Sequence, residues 1–283
     1  MDVVSDVAEI RARLQGVPRP LGLVPTMGAL HGGHLSLVDA ATRHCATVAV
    51  SIFVNPLQFG PGEDFQRYPR SLDADLQELD AAGAHVVFTP DAASFTPPGR
   101  LTSVVVASLT QRLEGSSRPG HFDGVTTVVT KLFNVIRPDQ AYFGEKDFQQ
   151  LAVIRRMVAD LDLPVTVVGC PIVRDPDGLA LSSRNAYLSG EQRVAALQLS
   201  QALHRLSQEW AGDAATAVAT LRRTLSQASG VRLDYAEVID PETLEPFEGV
   251  VEGPAQAVVA AYVGDTRLID NIRLEPAGSS PAA

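Results

Sequence analysis

Apolar positions recur at two spacings along the chain, and the two alternate. Residues 3–14 and 33–44 carry apolar side chains at helical spacing, whereas 21–25 and 47–54 are compact apolar runs. The second run is β-branched and unbroken, as in strands buried on both faces. The alternation continues with helices predicted over 71–82, 123–136 and 147–160 and strands over 85–88, 102–106, 139–143 and 164–168. Short strands separated by amphipathic helices predict a parallel sheet covered on both faces, a Rossmann-like α/β domain over residues 1–175. In such sheets ligands bind beyond the carboxyl ends of the strands.

The pattern changes after the turn sequence RDPDG at 174–178. Two helices (189–209 and 213–229), a strand (231–239) and a hairpin (256–263 and 266–274, with Gly264-Asp265 at its turn) predict a smaller C-terminal α+β domain over 176–283. Its last residues, 275–283, are rich in Gly, Ser, Pro and Ala and are expected to fray.

Composition narrows the function. The 283 residues are 45% hydrophobic and 20% charged, which is globular. With 23 basic against 33 acidic residues the net charge is −10, and this excludes a general binder of nucleic acid or anionic membranes. A small anion in a locally basic pocket stays open. Cys45 and Cys170 form no disulfide framework, the N-terminus has no basic start or apolar stretch of a signal peptide, and the longest apolar run, 48–54, is too short to span a bilayer. A soluble cytoplasmic protein is expected. Only Lys131 and Lys146 of the basic residues are lysine. Lys131 falls mid-helix and reads as part of a solvated face.

Three segments carry candidate chemistry. VPTMGALHGGHL (24–35) joins a predicted strand to a predicted helix. Its glycines let backbone N–H groups approach an anion, and His31 and His34, three apart, can face one ligand. The alternative is a plain turn with His34 as helix cap. YFGEKDFQQ (142–150) also lies where a strand gives way to a helix, so Lys146 should share that sheet edge and suits a moving phosphoryl group. GLALSSRN (178–185) offers two hydroxyls and a guanidinium at the domain boundary. Two polar loops add to these: NPLQFGPG (55–62), whose Asn55 and Gln58 can turn neutral amides to a ligand, and RPGHFDGV (118–125). Either could be ordinary surface. The stretch from 55 to 69 is also a candidate lid.

PTMGALHGGH, NPLQFG, GEKDFQQ and GLALSSRN, in this order, resemble the pantothenate synthetase (pantoate–β-alanine ligase) family of nucleotidyltransferases with a His-x-x-His motif. The resemblance is dense from 21 to 188. It implies attack of pantoate on the α-phosphate of ATP, then attack of β-alanine on the pantoyl adenylate, giving pantothenate, AMP and pyrophosphate. By motif position it assigns Met27, Gly28, Ala29, Leu30, His31, Gly32, Gly33 and His34 to ATP, with His34 also a proton donor. Gly144, Glu145, Lys146 and Asp147 would grip the nucleotide, with Lys146 on the phosphates. Val173 would meet adenine, and Leu181, Ser182, Ser183 and Arg184 would hold the triphosphate from a C-terminal domain acting as a cover. Gln58 and Gln150 would bind pantoate, with Asn55 beside them. Mg²⁺ would accompany ATP with its protein contact at Asp75, and the protein would be a homodimer. A nucleotidyltransferase that joins AMP to a phosphorylated substrate and a non-enzymatic nucleotide-binding module are the competing readings.

Overall fold

The computed structural model describes residues 1–275. The chain divides into two units, one of Met1–Glu145 with Gln149–Val173, the other of Lys146–Phe148 with the chain from Arg174 onward.

In the first unit the elements run β1 (Asp2–Val4), α1 (Val7–Arg13), β2 (Leu21–Thr26), α2 (Gly32–His44), β3 (Thr47–Ile52), α3 (Leu72–Ala81), β4 (Val86–Phe88), α4 (Ala92–Phe95), α5 (Glu114–Ser117), α6 (His121–Ile136), β5 (Gln140–Gly144), α7 (Phe148–Asp160) and β6 (Thr166–Cys170). The six strands form one parallel sheet in the order β1-β4-β3-β2-β5-β6. From β2 the chain winds outward through β3 and β4, then resumes on the other side with β5 and β6. The topological switch therefore lies between β2 and β5, where open α/β sheets form their ligand crevice. β2 and β3 are almost wholly buried, consistent with their unbroken apolar runs. Helix α6 packs Phe122, Val125, Val129, Leu132 and Phe133 into the core.

Three expectations change. Residues 3–14 are not one helix. Asp2–Val4 pair with Val86–Phe88 as an edge strand, and Asp6 then caps α1 by accepting from the N–H groups of Ala8 and Glu9. Residues 102–106 join no strand. The Val104 N–H donates to Thr127 Oγ1 and its carbonyl accepts from Thr126 Oγ1, so α6 takes up backbone groups a sheet would have paired, and Leu101 and Val105 stay exposed. The last strand of the sheet lies two residues later than expected. Lys131 is partly exposed, and its Nζ sits 4.9 Å from the centroid of the Phe95 ring.

The second unit holds α8 (Gly190–Glu209), α9 (Ala214–Gln227) and an antiparallel sheet β7-β8-β9 made of Val231–Ile239, Ala255–Val263 and Thr266–Leu274. Ser189 and Gln192 cap α8 reciprocally, and Asp213 caps α9. The helices lay Leu199, Leu203, Leu206, Leu221 and Leu225 on Ala257, Val259 and Ala261 of the central strand. The fold is thus a Rossmann-like parallel α/β sheet followed by a smaller α+β unit. Of the segment expected to fray, residues 276–283 lie outside the described residues.

Candidate active site

The carboxyl end of β2 leads into the loop that carries the His-x-x-His motif. Thr26 Oγ1 donates to the Ser51 carbonyl of β3 and accepts from the Gly28 N–H. Gly28 (φ +79) and Ala29 (φ +50) then turn the chain through left-handed conformations. Behind them Asp75 on α3, 3% exposed, accepts from the N–H groups of Ala29 and Leu30, each at 2.9 Å, and from Ser71 Oγ at 3.1 Å. A Cβ on Gly28 would lie 2.9 Å from Asp75 Oδ2 and 3.0 Å from Ile52 Cγ2, so the position needs glycine for space as well as for φ.

Helix α2 starts immediately after this loop. His31, not His34, is its cap: His31 Nδ1 accepts from the Gly33 N–H at 3.1 Å. A neutral His31 therefore carries its proton on Nε2. The two imidazoles lie with ring centroids 4.1 Å apart, their planes inclined by 36°. The N–H groups of Gly28, Ala29, Leu30 and Gly33 are taken by protein acceptors, and the two imidazoles stand at the same junction. Asp75, expected as the protein contact of Mg²⁺, is buried under three donors and holds the loop. Among the described residues no group of three or more His, Cys, Asp or Glu side chains could hold a metal ion.

The carboxyl end of β3 carries the second polar loop. Asn55, 2% exposed, caps a short 3₁₀ turn, Pro56–Gln58. Its Oδ1 accepts from the Leu57 N–H, and its Nδ2 donates to Gln58 Oε1 and to the Gly124 carbonyl, each at 3.0 Å. Both amide protons of Asn55 are thus used inside the protein, one of them on Gln58. Gln58 Nε2 donates to Met27 Sδ at 3.1 Å, which links this turn to the β2 loop. The Gln58 carbonyl accepts from His121 Nδ1 at 2.8 Å and from an Arg118 Nη at 3.4 Å. Burial, and then the Arg118 charge, push His121 down to about 4. Beyond Gln58 the chain packs on itself, with Phe59 against Phe65 and Tyr68 and Arg70 over the Phe65 ring.

Gly144 ends β5 and Glu145 begins the short 3₁₀ turn after it, Val173 follows β6, and Gln150 lies half-buried in the first turn of α7. Glu145 also acts on Cys170, whose thiol is pushed up by burial and then by that carboxylate. Gln149, to which sequence reasoning assigns no role, is buried. It accepts from the Glu114 N–H and donates to the carbonyls of Leu109 and Arg112.

Lys146 and Asp147 group with the second unit. The Lys146 carbonyl accepts from Asn271 Nδ2 at 2.9 Å, and Asn271 Oδ1 accepts from Gln256 Nε2 at 2.7 Å. Asp270, next to it on β9 and 4% exposed, takes a bidentate grip from Arg174 at 2.7 and 2.9 Å. Leu181 leads into Ser182, whose Oγ accepts from the Arg184 N–H and caps the 3₁₀ turn Ser183–Tyr187. Lys146, Ser182, Asn185 and Asp270 line one small cavity. Sequence reasoning misses Asp270 and Asn271, although two adjacent polar residues break the alternation of TRLIDNIRL.

The profile described as pantoate-beta-alanine ligase matches residues 2–273. The chain belongs to this family. Pantothenate synthetase of Rhizorhabdus wittichii is 52% identical over 282 residues, 98% of this chain and 100% of the relative. The crystal structure of pantothenate synthetase from Thermus thermophilus superposes with a TM-score of 0.91 at 49% identity, covering 98% of this chain and 100% of that one. The pantoate–β-alanine ligase of Francisella tularensis, solved with β-γ ATP and β-alanine, has a TM-score of 0.80 at 33% identity and covers 96% and 97%.

Proposed function

We propose that this protein condenses pantoate with β-alanine at the expense of ATP, releasing pantothenate, AMP and pyrophosphate. A pantoate carboxylate oxygen attacks the α-phosphorus and the bond to pyrophosphate breaks. The β-alanine amine then attacks the acyl carbon of the adenylate and AMP leaves. The observation that carries this reading is the pair of imidazoles, 4.1 Å apart, at the start of α2 in a chain of this family. Phosphoryl transfer needs charge neutralisation more than covalent help, and imidazoles, a lysine and an arginine provide it.

His31 and His34 face the phosphates, with His34 the proton donor, and Met27 to Leu30 with Gly32 and Gly33 form the nucleotide side of the loop. Lys146 neutralises the transferring phosphate, beside Gly144, Glu145 and Asp147. Val173 meets adenine. Leu181, Ser182, Ser183 and Arg184 hold the triphosphate. Gln58 and Gln150 bind pantoate. Mg²⁺ would accompany ATP and would neutralise charge on its phosphates. The protein works as a cytoplasmic homodimer; among the described residues no helix is long and apolar enough to cross a membrane.

AMP release from ATP and pantoate, measured with and without β-alanine, tests the reaction. Steady release that requires β-alanine is expected, and equal release without the amine overturns it. In a folded Lys146→Ala variant, ATP–pyrophosphate exchange should fall about 10²–10³-fold. ATP with Mg²⁺ should slow amide exchange at 174–188 as well as at 27–34; protection confined to 27–34 removes the second unit from the nucleotide site.

A further inference from the structure

Gln58 is gripped from several sides, and the strongest grip on its backbone comes from another element. At the head of α6, His121 Nδ1 donates to the Gln58 carbonyl at 2.8 Å, and its Nε2 lies 3.2 Å from Arg118 Nη1. A guanidinium only donates, so His121 Nε2 accepts and the ring is neutral with its proton on Nδ1. The remaining Arg118 nitrogens fork the Glu63 carboxylate at 2.8 and 2.7 Å, with both side chains mostly buried. Glu63, Arg118, His121 and the Gln58 carbonyl thus form one chain of hydrogen bonds. Its charges cancel at the Glu63 end and it finishes neutral at Gln58. Helix α6 can come this close because residue 124 is glycine: a Cβ there would lie 2.2 Å from the Leu57 carbonyl oxygen.

We infer that His121 and Arg118 are positioning residues for pantoate, acting through the Gln58 backbone, and that Glu63 ties the following loop to the same clamp. The inference rests on the proposed contact between Gln58 and pantoate. A hydroxy acid that must present its carboxylate in line with a phosphorus atom loses rate steeply with small displacements. The clamp meets the amide through a neutral imidazole and through a guanidinium whose charge Glu63 offsets, so it sets no net charge beside an anionic substrate.

Steady-state kinetics with pantoate and ATP varied in turn test this. His121→Ala is expected to raise KM for pantoate about tenfold and to leave KM for ATP within about twofold. His121→Asn, which keeps a donor near the Nδ1 position, should recover most of the loss. In a Gln58→Ala background His121→Ala should add nothing to the pantoate effect, because the two act as one unit. Arg118→Lys keeps the charge but not the fork. It should raise the same constant by a smaller factor, about threefold, and it carries the test if His121→Ala does not fold. Equal losses for pantoate and ATP, or additive effects in the double variant, overturn the positioning role while leaving Gln58 as a pantoate contact. An unchanged pantoate KM in Gln58→Ala itself overturns the assignment of Gln58, and the clamp with it.

Discussion

The loops after β2 and β3, neighbouring strands of one sheet, are held by opposite chemistry. After β2, a buried carboxylate collects backbone N–H groups: Asp75 takes those of Ala29 and Leu30. After β3, donors collect a carbonyl and an amide: His121, with Arg118 at longer range, takes the Gln58 backbone oxygen and Asn55 its side chain. The difference follows from what each loop is proposed to meet. The β2 loop leads into two imidazoles proposed to face phosphates, and a carboxylate behind it fixes the turn. The β3 turn is proposed to meet a carboxylate substrate, and a second carboxylate fixing it directly would repel that ligand. Glu63 serves there only at one remove, neutralised by Arg118.

Removing the carboxylate breaks this comparison hardest. Asp75→Ala leaves two loop N–H groups without their acceptor, at about 1–3 kcal/mol each, so a loss on the order of 2–6 kcal/mol is expected in urea unfolding, together with weaker ATP binding. Asp75→Asn retains one acceptor and sets an NH₂ against the second donor, so it should fall between. A variant that keeps full stability and changes only the Mg²⁺ dependence would return Asp75 to the role of metal ligand.

The β3 clamp titrates instead. Folded His121 ionises at about 4 against 6.5 for the free imidazole. Between those values the unfolded chain binds the extra proton, so stability falls as pH drops from 6.5 to about 4 and this contribution is flat below. The full interval corresponds to on the order of 3 kcal/mol. Burial raises Glu63, but Arg118 outweighs it and holds the carboxyl below its usual range, so its contribution is also lost on acidification. Arg118, Glu63 and Glu114 are the charged groups that act on the ring. Thermal melts across this window should show the fall in the natural protein and a flatter curve in His121→Asn; parallel curves would mean that the ring titrates normally. Gly124→Ala attacks the same clamp sterically. Forcing α6 off the Leu57 carbonyl should cost about 1–3 kcal/mol and raise pantoate KM, read by melts and kinetics together.

What sequence could reveal here follows the range of the interactions. The hairpin, the capped helix α8 and the runs forming β2 and β3 are local patterns, and they stand where periodicity places them. The strand order is set by contacts far apart in the chain. Local spacing therefore merges β1, three residues paired with a strand more than eighty positions on, into the helix that follows it. The same spacing makes a strand of 102–106, although α6 takes its backbone groups. The site divides the same way. PTMGALHGGH, NPLQFG and GEKDFQQ fall at strand ends, as the alternation implies. The groups that hold them are invisible to local reading: Asp75 reaches back 46 positions to Ala29, and His121 reaches 63 positions to Gln58. Without those partners in view, Asp75 reads as a metal ligand, Asn55 as a substrate contact, and 118–125 as a loop that could be plain surface.

The smallest effect sharpens the comparison from the far end of α6. Lys131 lies ten residues beyond His121 and places its ammonium over the Phe95 ring, on the helix that carries the clamp but away from it. Lys131→Met keeps an unbranched apolar stem and deletes the cation, so the expected cost is that of the cation–π contact alone, about 0.5–1 kcal/mol. If Gln58 is positioned by the first turn of α6, this loss must not reach pantoate: KM for pantoate and ATP should both match the natural protein while the melting temperature drops by a few degrees at most. Any rise in pantoate KM would show that the seating of the whole helix sets Gln58, and the contrast between a loop held by one carboxylate and a turn held by one imidazole would then be too local.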